Sequence, residues 1–250
     1  MPKMDLTTDA KENAIAEVNT TREVVVAEHE EVRSDELKLG QISGEVEERD
    51  FNFPKLNLVQ SVGPLSGNFD AGTIVYRKEK ALLRPVRKDG EETATRTDGH
   101  LVVTVLNAKK QYIEVVKFGD PGAIVDTAEE VRALGGTTKW VDNVPPTFTP
   151  LGTMLFLFES PEPLQGGYEF NGTHYGLGLF AVKKSQYSAF KTVCTASQFH
   201  LSGGLHTGAW NFSAVRERSG KNMVWKPKLE INEEKMQHSP EFIEWVSTLL

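Results

Sequence analysis

A chain of 250 residues with 39% hydrophobic and 25% charged side chains lies in the ordinary globular range, long enough for one large core or two small ones. No stretch approaches the roughly 18 consecutive apolar residues of a spanning helix, and the polar start from Met1 to Asp9 lacks the cationic and then apolar pattern of a secretory signal. The single Cys194 excludes an internal disulfide, so the expected location is a reducing compartment, the cytoplasm.

The net charge of -7 is unevenly distributed. Residues 1–50 hold 6 Lys+Arg against 14 Asp+Glu, whereas residues 51–250 hold 22 against 21. Within the second part, Gly119 to Val182 carries 2 basic and 8 acidic residues, and Lys183 to Lys228 carries 8 basic residues with Glu217 the sole acid. That last stretch is a local basic feature which the whole-chain pI hides.

Residues 1–50 have no aromatic residue and few large apolar ones outside Val24-Val25-Val26, too little to offset chain entropy by burial. They are expected to form a disordered acidic arm. It serves either as a solubilising tail or as a segment that docks on a partner or on the domain itself.

The domain is expected over residues 51–250. Lys55 to Val62 reads as a first strand, then Gly63-Pro64, Gly67 and Gly72 punctuate a loop. Thr73 to Leu83 reads as the next strand, followed by a long polar excursion from Lys88 to Gly99. Leu101–Leu106 and Tyr112–Phe118 are dense in β-branched and aromatic residues, and Asn107-Ala108-Lys109-Lys110 between them reads as a basic hairpin tip. Asp126, with Glu129 in the capping-box position, predicts a short helix that Gly135-Gly136 ends. Leu151–Phe158 and Tyr175–Val182 read as buried strands. Ser185 starts a helix through Ser197 with Tyr187, Phe190 and Val193 or Cys194 at helical spacing. Ala209–Val215 and Met223–Ile231 form a hairpin around Arg218-Ser219-Gly220-Lys221. Ser239 then caps a closing amphipathic helix with Pro240 at its first position. About eight strands with two or three short helices and no βα alternation predict a mainly β barrel or sandwich, with an OB-like form among the options.

No phosphate-binding glycine loop, nucleophile elbow or dinucleotide fingerprint is present, so the expectation is a non-catalytic protein without cofactor. Cys194, His200 and His206 are the one cluster to weigh for a nucleophile or a metal, but they lack a third partner at a recognised spacing. Cys194 reads as core packing on the helix's apolar face. Glu91-Glu92 and Glu233-Glu234 read as solvated loop charges. The stronger signal is cations mixed with aromatics, since single-strand binders need positive charge along the phosphates and rings on which bases stack. Lys184, Tyr187 and Lys191 share a helical face at i, i+3 and i+7, with Lys183 beside them. Arg216, Arg218, Lys221, Lys226 and Lys228 decorate the hairpin. A second set, Arg77, Lys78 and Lys80, continues into Arg84, Arg87 and Lys88. Trp210, Phe212 and Trp225, at alternate strand positions, are core residues more often than stacking platforms.

The run Phe53-Pro54-Lys55-Leu56-Asn57-Leu58-Val59-Gln60-Ser61, followed by Gly67-Asn68-Phe69-Asp70-Ala71-Gly72-Thr73-Ile74-Val75, resembles the opening of a set of tailed-bacteriophage proteins. These have a Pro-x-Leu-x-Leu-x-Gln stretch before a glycine-rich approach to a strand. Ala81-Leu82-Leu83-Arg84-Pro85-Val86, Trp210-x-Phe212 and Trp225-x-Pro227 suit the same layout. The resemblance implies a single-stranded DNA-binding protein of phage replication or recombination, working in the host cytoplasm. The expected partner is single-stranded DNA, or RNA, from which these residues do not distinguish it. A protein partner through the arm or the C-terminal helix, as in a virion-structural or accessory domain, is the rival expectation.

Overall fold

The structure is a computed structural model that describes residues 53–87, 93–117, 122–201 and 203–249. The acidic arm, Glu91-Glu92 and Lys88 lie outside these residues. Among the described residues the order is β1 (Lys55–Leu58), β2 (Ile74–Tyr76), β3 (Lys80–Leu83), β4 (Pro85–Val86), β5 (Arg96–Thr97), β6 (Leu101–Glu114), β7 (Ile124–Val125) and α1 (Ala128–Ala133). There follow β8 (Phe148–Ser160), β9 (Tyr168–Phe170), β10 (Thr173–Lys183), α2 (Ser188–Phe199), β11 (Ala209–Ser219), β12 (Asn222–Ile231) and α3 (Pro240–Ser247). The fold is mainly β, as the alternating sequence predicts, with one nearly closed, barrel-like sheet.

The barrel wall runs β1-β10-β8-β6-β11-β12, with β1 and β10 parallel and the other neighbours antiparallel. Alternation sends Val103, Val105, Phe156, Phe158, Phe180, Trp210, Phe212 and Trp225 inward, all at most 3% exposed. Phe156, Phe180 and Phe212 meet with centroids 4.9–5.9 Å apart, so the interior is packed with side chains and holds no channel.

No backbone ladder joins β12 to β1. The Gln60 side chain spans the gap instead: its Nε2 donates to the Trp225 carbonyl at 2.9 Å, and its Oε1 accepts from the Trp225 N–H at 3.2 Å. A primary amide thus pairs with the β12 edge as a neighbouring peptide would. Pro227, two residues on, sits where the ladder asks for no donor, because the Ala214 N–H opposite it is taken by Thr97 Oγ1. Gly72, at φ +101, lays its backbone against the Trp225 ring, where a Cβ would stand 2.5 Å from the indole.

Two helices cover the sheet. Ala189, Phe190, Val193 and Ala196 of α2 close one end, with Phe190 seated on Gly152 so tightly that a Cβ there would lie 2.4 Å from its ring. On the outer face of β8 and β10, Phe242 and Val246 of α3 bury Leu155, Leu157 and Tyr175. The apolar face that this helix would offer to a partner is therefore packed on its own sheet. Ser239 caps α3 by accepting from the Phe242 N–H, as expected.

Three expectations are corrected. Leu101 to Glu114 is one strand, with a register shift between Val105 and Asn107 and no hairpin at the lysines. Asn107 to Lys110 offers no glycine for a tight turn, and its alternation pairs on along β8 from Leu155 to Gly152. Conversely, Thr73 to Leu83 is a hairpin, because Arg77 and Lys78 take φ of +54° and +65° in a type I′ turn normally made by Asn or Gly. The α1 cap is Thr127, whose hydroxyl accepts from the Glu130 N–H while the Glu130 carboxylate accepts from the Asp126 N–H. The cap therefore lies one residue later than Asp126 and Glu129, and its return bond reaches the N–H before the cap instead of the cap's own.

If the Gln60 amide closes the barrel, Gln60→Ala should lower unfolding free energy by about 1–3 kcal/mol in a urea titration, since two backbone groups lose their partner. A loss below about 0.5 kcal/mol would show that closure rests on packing alone. A second measurement concerns His238, which bonds Thr104 Oγ1 at 2.9 Å and lies against Phe242; burial, with Lys235 and His206 nearby, pushes its imidazole down to about 4. The unfolded chain takes up this proton near pH 6.5 and the folded chain does not, so this contribution to stability falls as pH drops from about 6.5 towards 4. His238→Gln should flatten that part of the stability profile, and an unchanged profile would count against a neutral buried ring.

Candidate nucleic-acid interface

The interface is built where β6 and β8 run on past the end of the barrel. Because of the register shift in β6, Ala108, Lys110 and Tyr112 pair with Met154, Gly152 and Pro150, on the inward-facing side of the sheet. There they meet α2. Tyr187 stacks on Phe190 with centroids 5.3 Å apart, half-buried, and Lys110 Nζ lies 5.2 Å from the centre of the Tyr112 ring. The charge of Lys110 is also felt at Tyr187 and Cys194, on the flank of α2 that faces this overhang. Interaction with the Tyr112 hydroxyl holds the Lys110 ammonium above the usual lysine range, and burial pushes the Tyr187 phenol up, so one stays cationic and the other neutral at physiological pH.

Lys191 stands at the solvent-facing apex of α2, and Lys184 opens the 3-10 turn Lys184–Gln186 at φ +53°. Neither has an acidic partner among the described residues. Gln186 Nε2 reaches the Trp225 carbonyl at 3.4 Å, which brings this segment alongside β12. Arg216 is opposite Trp225 and Arg218 opposite Met223, so both arginines lie on the Trp225 face of the hairpin, with Lys221 in its turn.

The other expected residues do not join this surface. Lys226 and Lys228 pair with Val215 and Ser213 on the opposite face, and each is matched by a carboxylate, Glu217 at 3.0 Å and Glu230 at 2.8 Å. Lys183 follows the inward-pointing Val182 and so points outward. Arg77 and Lys78 occupy the β2–β3 turn, and Lys80 is ion-paired with Glu162 near the Ser160 end of β8. Lys183 is level with Leu151 at the other end of that strand, nine residues or about 30 Å away. Trp210, Phe212 and Trp225 are core residues.

Cys194 requires a correction. It lies on the Tyr187 flank of α2 and is exposed rather than packed, because the buried stripe of the helix runs through Ala189, Phe190, Val193 and Ala196. His200 ends the same helix and His206 lies in the turn Leu205–Thr207. Among the described residues no three His, Cys, Asp or Glu side chains stand as a metal-binding group. No described helix is long and apolar enough to cross a membrane.

No family model, curated protein or solved structure matches this chain. The reading of the site therefore rests on its own chemistry. Sequence reasoning missed Lys110 and Tyr112, which it placed in a hairpin tip and a following strand. Local sequence carries no signal for this, because Lys109-Lys110-Gln111 is polar throughout and the register shift after Val105 breaks the alternation that precedes it.

The exposed thiol gives a direct test of this geometry. A maleimide should modify Cys194 fully in the folded protein, the more slowly because partial burial pushes the thiol up and keeps it protonated. Cys194→Ser should change stability by less than about 0.5 kcal/mol. A thiol that reacts only in denaturant would put Cys194 back in the core.

Proposed function

We propose that this chain binds single-stranded nucleic acid, DNA in the first instance, without catalysis and largely without sequence preference, in the replication or recombination role that the tailed-phage resemblance implies. The observation that carries the reading is Tyr112 with the Lys110 ammonium over its ring on the β6 overhang, together with the half-buried Tyr187 at the start of α2 and the exposed Lys184 and Lys191 on the same segment. Bases stack on rings of this kind, and cations without carboxylate partners release counterions when they meet phosphates. Arg216, Arg218 and Lys221 would extend the phosphate track along the hairpin. The filled barrel interior supports an external track rather than an enclosed ligand.

A second reading, a protein-binding domain, is favoured by a different place. Trp140, Val141 and Val144 are 68%, 51% and 59% exposed around a tight turn at Asp142 and Asn143, beyond the β6–β8 overhang. Exposed apolar groups gathered at a turn suit a protein surface.

The expected outcome separates the two faces of the hairpin. Affinity for oligo-dT should fall log-linearly with salt, and Lys184→Gln with Lys191→Gln should flatten the slope. Lys226→Gln with Lys228→Gln, on the ion-paired face, should leave it unchanged. Tyr187→Ala should weaken binding by about 1–3 kcal/mol with little change in slope. Equal effects from both lysine pairs, or equal competition by duplex, would reduce the surface to generic basic charge. Absence of binding at low salt by folded protein would promote the protein-binding reading.

A further inference from the structure

The two flanks of α2 differ. Tyr187 and Cys194 lie towards the Lys110 overhang, while Thr192, Thr195 and Phe199 fall at i, i+3 and i+7 on the other side. On that second side a cavity of about 380 Å³ opens between the helix and the ends of β11 and β12, lined by Lys191, Thr192, Thr195, Ala196, His200, Trp210 and Ile231. Its volume falls in the range of small-ligand sites.

Its chemistry is asymmetric. Ala196, Ile231 and the Trp210 indole make an apolar floor, whereas Lys191, Thr195 and His200 supply a cation and hydrogen-bonding groups at the rim. Two features lack an explanation in the fold. Trp210 is 0% exposed, yet its Nε1–H has no hydrogen-bond partner among the described residues. Phe199 is 74% exposed on the same stripe as the rim threonines. An apolar floor, an uncovered ring on the neighbouring turn of the helix and a cation at the rim fit a flat ring joined to an anion.

Resting on the single-strand reading, we infer that this cavity takes one nucleotide, its base towards the Ile231–Trp210 floor with Phe199 beside it and its phosphate at Lys191. Lys191 stands at the apex between the two flanks, so one phosphate there links a base in the cavity to a neighbour on the Tyr187 side. The cavity would make this protein hold one base of the strand more tightly than its neighbours.

The test titrates the full-length chain by calorimetry with thymidine monophosphate, thymidine and inorganic phosphate, and separately with oligo-dT. The monophosphate should bind at least about tenfold more tightly than either of its halves. Thr195→Trp, which fills the cavity from an exposed helix position, should abolish that binding at unchanged melting temperature and weaken oligo-dT about tenfold. Phe199→Ala, which removes only an exposed ring, should weaken the monophosphate as well. Phosphate alone binding as well as the nucleotide, or nucleotide binding indifferent to both variants, overturns the inference. If oligo-dT binds the wild type and Thr195→Trp equally, the cavity is overturned while the Tyr187 interface stands. If the monophosphate binds and Thr195→Trp abolishes it but oligo-dT does not bind at all, the strand reading falls and the nucleotide cavity remains.

Discussion

Both edges of β1 are taken, by β10 and β2, so the Trp225 backbone of β12 finds no ladder at this seam, and the Gln60 amide just beyond β1 supplies its partners. Much of the molecule follows from that pairing. With the backbone of Trp225 held, its ring takes one position, and only a residue without a Cβ at position 72 can pass over it. The same Trp225 carbonyl is near Gln186, so the turn that leads into α2 is tied to the seam as well. Closure of the barrel and placement of the Tyr187 surface are thus consequences of one contact region, and damage at the seam would reach the interface through the start of α2.

The second constraint is that both faces of the central strands are occupied. The interior is filled by Phe156, Phe180 and Phe212, one end is closed by Phe190 on Gly152, and the outer face of β8 and β10 lies under α3. The overhang, where β6 and β8 run on beyond the barrel and α2 lies beside them, is the place that the proposed interface occupies. A strand that ended with the barrel wall would leave Lys110 and Tyr112 out of reach of Tyr187. The register shift after Val105 matters as much as the length, because sliding the alternation by one residue would turn both side chains to the other face.

Legibility in the sequence follows the same physics. Apolar density identified β10, strict alternation identified the β11–β12 hairpin and its inward row of Trp210, Phe212 and Trp225, and the Ser239-Pro240 pair marked the start of α3. These are places where local pattern and tertiary burial agree. The β2–β3 turn was hidden because Arg77 and Lys78 adopt positive φ that their side chains do not advertise, and β6 was divided because Asn107-Ala108-Lys109-Lys110, three polar residues and an alanine, resembles a loop when the partner strand is unseen. For the site, a charge count along the chain adds residues that the pleat separates. Lys226 and Lys228 are neighbours of Arg216 and Arg218 in space yet point the other way. Lys110 comes from some 75 residues before Tyr187, a pairing that only the fold reveals.

The segment that carries the phage resemblance is spent mostly on architecture. Leu56 is 3% exposed in the core, Gln60 closes the seam and Gly72 makes room for Trp225. A motif with those duties selects for a barrel that shuts in this way, and it constrains what the barrel binds only indirectly. The chemistry that distinguishes a strand binder from another β domain sits elsewhere, in whether cations already have carboxylates. Lys80, Lys226 and Lys228 are matched by Glu162, Glu217 and Glu230, so meeting a phosphate there means breaking a pair as well as forming one. Lys184 and Lys191 are matched by no acid among the described residues, and a phosphate gains there the full counterion term. In the proposed reading, the side of the domain that meets a strand is set by the placement of its glutamates as much as by its lysines.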